Sequence, residues 1–170
     1  APKPLFRMAI AMPKGNRWED MIRPLTELGV GRLTPLLTDH SECYTKGKKQ
    51  EAKSQKWKKI AIDACKQSGN PWLPLLDTPQ SFSTFLTNLS EKETVCIGSL
   101  SPFARPFKEC ELVQKDIISI LIGPEGGWSE EEEQESKENG VIPFSLGSNT
   151  LRLENAAVVG LAVARERFTL

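Results

Sequence analysis

The chain has 170 residues, with 22 Lys+Arg against 22 Asp+Glu and a formal net charge of zero. That length suits one domain, and 39% apolar with 26% charged content excludes a wholly disordered or fibrous chain. Zero net charge excludes a uniformly basic nucleic-acid coat, though not a local basic patch. The longest uncharged apolar run, Ala156 to Ala164, falls far short of the roughly 20 residues that span a bilayer. Met8 to Met12 is too short for a signal-peptide core. Cys43, Cys65, Cys96 and Cys110 contain no C-x-x-C pair, so reduced thiols in a cytoplasmic protein without a zinc motif are expected.

Strand and helix signals alternate along the chain. Leu5 to Met12 reads as a strand. Trp18, Met21, Ile22, Leu25 and Leu28 follow at helical spacing, with Gly29 as a stop and Pro24 expected to kink or shorten the helix. Val30 to Leu37 reads as a second strand. Ser54 is expected to cap a helix whose apolar face is Trp57, Ile60, Ala61, Ala64 and Cys65, ended by Gly69-Asn70-Pro71. Trp72 to Leu76 reads as a third strand, and Phe82, Phe85, Leu86 and Leu89 mark a helix. Thr94 to Gly98 and Ile117 to Gly123 are buried-strand candidates. Ser129 opens a helix with Glu132 at the capping-box position, and Gly140 closes it. Val141 to Leu146 is the last strand and Leu153 to Phe168 the last helix.

This alternation predicts an α/β fold with a mostly parallel sheet covered by helices on both faces. Such sheets bind ligands beyond the carboxyl ends of their strands. Two loops there are unusual. In Gly123-Pro124-Glu125-Gly126-Gly127, a buried strand runs into three glycines, a proline and a carboxylate. The spacing fits neither a Walker loop nor G-x-G-x-x-G, and a tight strand-to-helix turn would need the same residues. In Gly147-Ser148-Asn149-Thr150-Leu151-Arg152-Leu153-Glu154, a cation opens the last helix against its dipole. Arg152 therefore calls for a carboxylate partner, Glu125 or Glu154, or for a phosphate.

I-G-P-E-G-G-W-S, then a strand, L-G, L-R-L-E and an alanine-rich helix together resemble the C-terminal half of the RsmE family. These are 16S ribosomal RNA uridine-N3 methyltransferases of the SPOUT superfamily. Pro13-Lys14-Gly15 with Arg17, Glu27-Leu28-Gly29-Val30, Pro35-Leu36, Trp57 and Ala64-Cys65-Lys66-Gln67-Ser68-Gly69 resemble family stretches in the family's order. The likeness covers nearly the whole chain and implies one SPOUT-like methyltransferase domain over 1–170. It also implies a C-terminal trefoil knot, homodimers, S-adenosyl-L-methionine as cofactor, and 16S rRNA or the small ribosomal subunit as partner. The family's N-terminal barrel, which resembles a PUA domain, has no counterpart in these 170 residues. Pro24, Asn70 and Asn155 stand where relatives usually carry Lys, Arg and Thr or Ser, and Asp39-His40-Ser41 where they tend to carry an Arg.

By that resemblance the cofactor site comprises Ile97 and Gly98, then Ile122, Gly123, Glu125 and Gly126, and finally Leu146, Gly147, Leu151, Arg152, Leu153 and Asn155. Uridine N3 carries a proton at neutral pH, so transfer needs a base or a cation. Arg152 is the expected electrostatic stabiliser, with Glu154 as its partner or as the base. Lys46 to Lys59 holds seven lysines and one glutamate. It is either a solvated helix face or, through Lys46, Lys48 and Lys49 with Lys14 and Arg17, a phosphate-binding surface. Trp57 is expected in the core, the acidic run Glu130 to Glu138 in solvent, and lone His40 in a loop without a metal role. A non-catalytic RNA- or ribosome-binding relative, and a methyltransferase of another RNA position, are the alternatives.

Overall fold

β-Branched and aliphatic runs set the strands of this chain, and glycine or proline breaks set their ends. The computed structural model describes residues 2–41 and 48–169, without the side chains of Lys48 and Lys49. In chain order the elements are β1 (Leu5–Ala11), α1 (Arg17–Glu27), β2 (Arg32–Leu37), α2 (Lys48–Ser68), β3 (Leu75–Leu76), β4 (Gln80–Ser81), α3 (Phe82–Thr87) and β5 (Glu93–Gly98). They continue with β6 (Arg105–Pro106), a single 3-10 turn at Phe107–Glu109, β7 (Ile117–Ile122), α4 (Glu130–Glu138), β8 (Ile142–Ser145) and α5 (Leu153–Thr169). Among the described residues the strands form one sheet in the order β3-β2-β1-β7-β5-β8-β6, with β4 also on β2, and every pairing is parallel.

Side chains alternate across this sheet, so each face needs its own cover. Phe6, Met8 and Ile10 of β1 and Ile118, Ile120 and Ile122 of β7 share one core with Trp18, Met21, Ile22 and Leu25 of α1, Trp57 of α2, and Leu161 and Ala164 of α5. The opposite face packs Ala9, Leu121, Val95 and Ile97 under Phe82, Phe85 and Leu86 of α3. The small residues of α5 pack on the sheet: a Cβ on Gly160 would lie 3.4 Å from Ile122 Cδ1. Trp57 is core, its ring 5.5 Å from that of Trp18.

One patch under α3 is charged. Arg7 Nε donates to Thr34 Oγ1 at 2.9 Å, and its guanidinium reaches Glu93 at 3.5 Å and Asp77 at 3.6 Å. Ser119 Oγ donates to Glu93, Thr34 Oγ1 donates to Asp77 at 2.6 Å, and Arg7 lies 4.4 Å over the Phe85 ring. Burial, then the nearby Arg32, hold the Arg7 guanidinium below its ordinary value, against the opposing pull of Glu93 and Asp77.

α1 closes at Gly29, whose φ of 78° lets its N–H reach Thr26 O and the Val30 N–H reach Leu25 O. The same pair of bonds closes α4 at Gly140. The expected shortening at Pro24 does not occur, because α1 runs on to Glu27 with Met21, Ile22 and Leu25 buried. The proline still denies Asp20 O its intrahelical donor. Pro24→Ala is therefore expected to stabilise the chain by about 2 kcal/mol, read as a higher urea midpoint at unchanged slope.

Three other expectations are corrected. Ser54 does not cap α2; it lies inside a helix that already runs from Lys48, since Lys48-Lys49-Gln50-Glu51-Ala52-Lys53 are good helix formers. The third strand is only Leu75–Leu76, because Pro74 has no N–H to pair; Trp72 and Leu73 before it are 52% and 44% exposed. The second strand starts at Arg32, since Val30 and Gly31 serve the α1 closure and the turn into the sheet. Cys65, Cys96 and Cys110 are free thiols, with Cys96 pushed up to about 12 chiefly by burial; Cys43 lies outside the described residues. No described helix is long and apolar enough to cross a membrane.

Candidate functional site

Three neighbouring strands, β7, β5 and β8, end at one cavity of about 550 Å³. This lies within the ordinary range of small-molecule sites. Its walls are the loops that follow these strands, together with the first turn of α5. The loops are tied to one another. Trp128 Nε1 donates to Gly98 O at 2.9 Å, joining the turn after β7 to the end of β5, and the Ser99 N–H donates to Phe144 O at 2.9 Å, joining β5 to β8. The Trp128 ring also packs on Phe82, centroids 5.0 Å apart. Gly123 lies directly beneath this indole, where a Cβ would be 2.8 Å from Trp128 Cε2.

The turn after β7 is braced from outside. Ser129 and Glu132 form the expected capping box. Glu132 Oε1 also accepts the Asp39 N–H at 2.9 Å, and Ser129 Oγ donates to Asp39 Oδ2 at 2.6 Å. His40, exposed in the loop after β2, sits with Nδ1 2.9 Å from Gly127 O. No group of residues able to hold a metal ion occurs among the described residues.

Of the twelve residues expected to hold a cofactor, eight line this cavity: Gly98, Ile122, Gly123, Glu125, Leu146, Gly147, Leu151 and Leu153. Four do not. Ile97 points to the opposite face under α3, as strand alternation requires one residue before Gly98. Gly126 faces outward, where a Cβ would lie 3.1 Å from His40 Cβ. Arg152 and Asn155 are exposed beside the cavity. Trp128, Phe144 and Glu133 line it without having been singled out. Trp128 was findable as the aromatic that ends the glycine motif; Glu133 required knowing where α4 points.

The ionic arrangement differs from the pairing offered for Arg152. Both candidate carboxylates are taken by Arg17, the first residue of α1: it donates to Glu125 and lies 3.6 Å from Glu154 Oε1. The Arg152 guanidinium makes no hydrogen bond or ion pair with any described residue. Its carbonyl accepts the Ala156 N–H, so Arg152 occupies the N-cap of α5 and its side chain diverges from that of Glu154 two residues on. Glu154 Oε2 is shielded from solvent and has no hydrogen-bond partner among the described residues. Arg17 first, then Lys14 and Arg152, hold the Glu125 carboxyl below the usual carboxylate range, and Glu125 in turn raises Arg17. Of the residues expected to face RNA, Lys14 and Arg17 thus meet at the β1–α1 loop. Lys46 lies outside the described residues, as do the side chains of Lys48 and Lys49.

The sequence profile described as RNA methyltransferase domain matches residues 2–165. The chain belongs to this RNA methyltransferase domain family. Similar relatives include a protein of Synechocystis sp. named ribosomal RNA small subunit methyltransferase E, 35% identical over 91% of this chain and 51% of its own length. The Aquifex aeolicus protein of the same name is 32% identical over 82% of this chain and 58% of its own length. The chain thus spans about half to three-fifths of these relatives. Among solved structures of the family's fold, a methyltransferase of Legionella pneumophila with the cofactor SAM bound has a TM-score of 0.88 at 32% identity, covering 97% of this chain and 67% of that one. The ribosomal RNA small subunit methyltransferase E of Neisseria gonorrhoeae, bound to S-adenosyl methionine, has a TM-score of 0.88 at 25% identity, covering 99% and 68%.

Proposed function

We propose that this chain is the catalytic domain of a dimeric, cytoplasmic, S-adenosyl-L-methionine-dependent methyltransferase that modifies N3 of a uridine in 16S ribosomal RNA within the small subunit. The observation that carries this reading is the glycine-walled cavity at the ends of β7, β5 and β8. Its residues fit the cofactor. Ile122, Leu146, Leu151 and Leu153 offer apolar surface, Gly98 and Gly123 leave backbone accessible, and Glu125 and Glu133 supply negative charge for a sulfonium. A C-terminal trefoil knot belongs to the same reading. It is supported by the segment between β5 and β7, which pairs with β8 through β6 and accepts Arg167 of α5 at Phe107 O and Cys110 O.

When bound, S-adenosyl-L-methionine supplies an electrophilic methyl group. The chain's own residues have to hold the uracil in line and remove the N3 proton, leaving a lone pair on nitrogen. Arg152, unpaired and at the positive end of α5, stabilises the negative charge that spreads over the uracil as the proton leaves. Glu154, with one oxygen lacking any donor, takes that proton. Asn155, exposed on the same turn, orients base or cofactor. Lys14 with the lysines before and within α2 holds RNA phosphates.

Calorimetric titration with S-adenosyl-L-methionine tests the site. Saturable binding is expected, and Gly123→Ala should weaken it about tenfold, because the added Cβ displaces the indole that joins two walls. Absence of binding by the folded wild-type chain would refute the reading. Methyl incorporation into small ribosomal subunits, with the modified atom mapped, then separates uridine N3 from any other position.

A further inference from the structure

The first turns of two helices meet at this site, and both begin with an arginine. Arg17 opens α1 and Arg152 caps α5, so each cation sits where the helix dipole disfavours it. Two carboxylates lie between them, Glu125 in the turn after β7 and Glu154 in α5. The distribution is lopsided: Arg17 contacts both, and Arg152 contacts neither. Arg17 itself is 31% exposed, against 52% for Glu125 and 25% for Glu154. It comes from the β1–α1 loop on one face of the sheet, whereas Glu125 leads into α4 on the other, so the contact closes the crevice between the adjacent strands β1 and β7.

We propose that Arg17 is a positioning residue which, by occupying Glu125, prevents that carboxylate from capturing Arg152 and so leaves the Arg152 guanidinium available to the substrate. The proposal rests on the methyl-transfer role given to Arg152. Glu125 is the relevant competitor: Arg152 already acts on it electrostatically, whereas Glu154 is two residues from Arg152 and faces away. Without Arg17, Glu125 would lose its nearest cation, and Arg152 would become its next partner in the crevice. A guanidinium paired in this way has a neutralised charge and a fixed direction, and it stabilises a developing uracil anion less. Arg17 would thus affect the reaction without touching substrate or cofactor.

Arginine availability can be read directly by labelling the full 170-residue chain with p-hydroxyphenylglyoxal and mapping the modified peptides. In the wild type, Arg152 should react about threefold faster than Arg17, the scale that exposed ion pairs support. In Arg17→Gln, Arg152 should slow by about threefold. Arg17→Lys should hold the wild-type rate, and Arg17→Gln with Glu125→Gln should recover it, which a merely supporting role for Arg17 would not produce. The proposal is overturned if Arg152 labels equally fast in wild type and Arg17→Gln, if the second substitution brings no recovery, or if Arg17 in the wild type labels as fast as Arg152. The wild-type comparison applies even if Arg17→Gln fails to fold. Labelling needs neither cofactor nor RNA, so its failure is distinct from a failure of the chain to bind S-adenosyl-L-methionine.

Discussion

Arg152→Gln is expected to lower the rate of methyl transfer by about 10²–10³-fold, the scale of losing one preorganised group at a developing anion. S-adenosyl-L-methionine affinity should stay within about threefold of wild type, since the side chain is exposed beside the cavity rather than in its wall. Arg152→Lys should recover part of the rate, because a point cation supplies charge without the planar fork. Single-turnover measurement at saturating cofactor separates these effects. A large loss of cofactor affinity with unchanged turnover would instead assign Arg152 to cofactor binding. The prediction depends on the absence of a partner for this guanidinium, which neither Glu125 nor Glu154 provides.

The largest stability effect is expected at the opposite end of the strands. Glu93→Ala should destabilise the chain by about 3–5 kcal/mol, because it leaves a buried guanidinium without its closest carboxylate. Arg7 is 8% exposed and Glu93 6%, so water cannot replace the lost oxygen. Asp77 does not substitute, since it is also held by Arg32 at 2.8 Å. Pairing the change with Arg7→Met should return most of the loss, because apolar residues of similar volume are tolerated where a buried ion pair stood. Urea unfolding of the two single variants and the double variant closes the cycle. A Glu93→Ala variant within about 1 kcal/mol of wild type would show that the network contributes little.

Much of the site was legible because its signals are local. A buried strand followed within a few residues by Gly123-Pro124-Glu125-Gly126-Gly127 dictates a close turn, and Ser129 with Glu132 dictates the helix start after it. Gly29 and Gly140 mark their helix ends for the same reason. What escaped depends on distance along the chain. Arg17 and Glu125 are 108 residues apart, and nothing in the spacing of either reveals that Arg17 rather than Arg152 would reach the carboxylates. Gly126 belongs to the motif yet faces His40, because in a tight turn adjacent residues point to different sides. The two-residue strands β4 and β6 carry no periodicity to detect, and β6 contains a proline. Ser54 misled because a capping residue and a tolerated helix-interior serine look alike when lysines and alanine continue the helix upstream.

The short strands at the rims of the sheet affect how copies of this chain can meet. The outer side of β2 is covered in two pieces, β3 and β4, each two residues long and each close to a proline, and the opposite rim is Arg105–Pro106. A parallel sheet with long bare rims would template amyloid-like stacking. Here neither rim offers more than two consecutive residues of ladder, and β6 itself carries a charge and a ring nitrogen that cannot donate. Crowded or partly unfolded preparations should therefore resist sheet extension, and self-association has to be built from side-chain surface rather than from shared backbone hydrogen bonds.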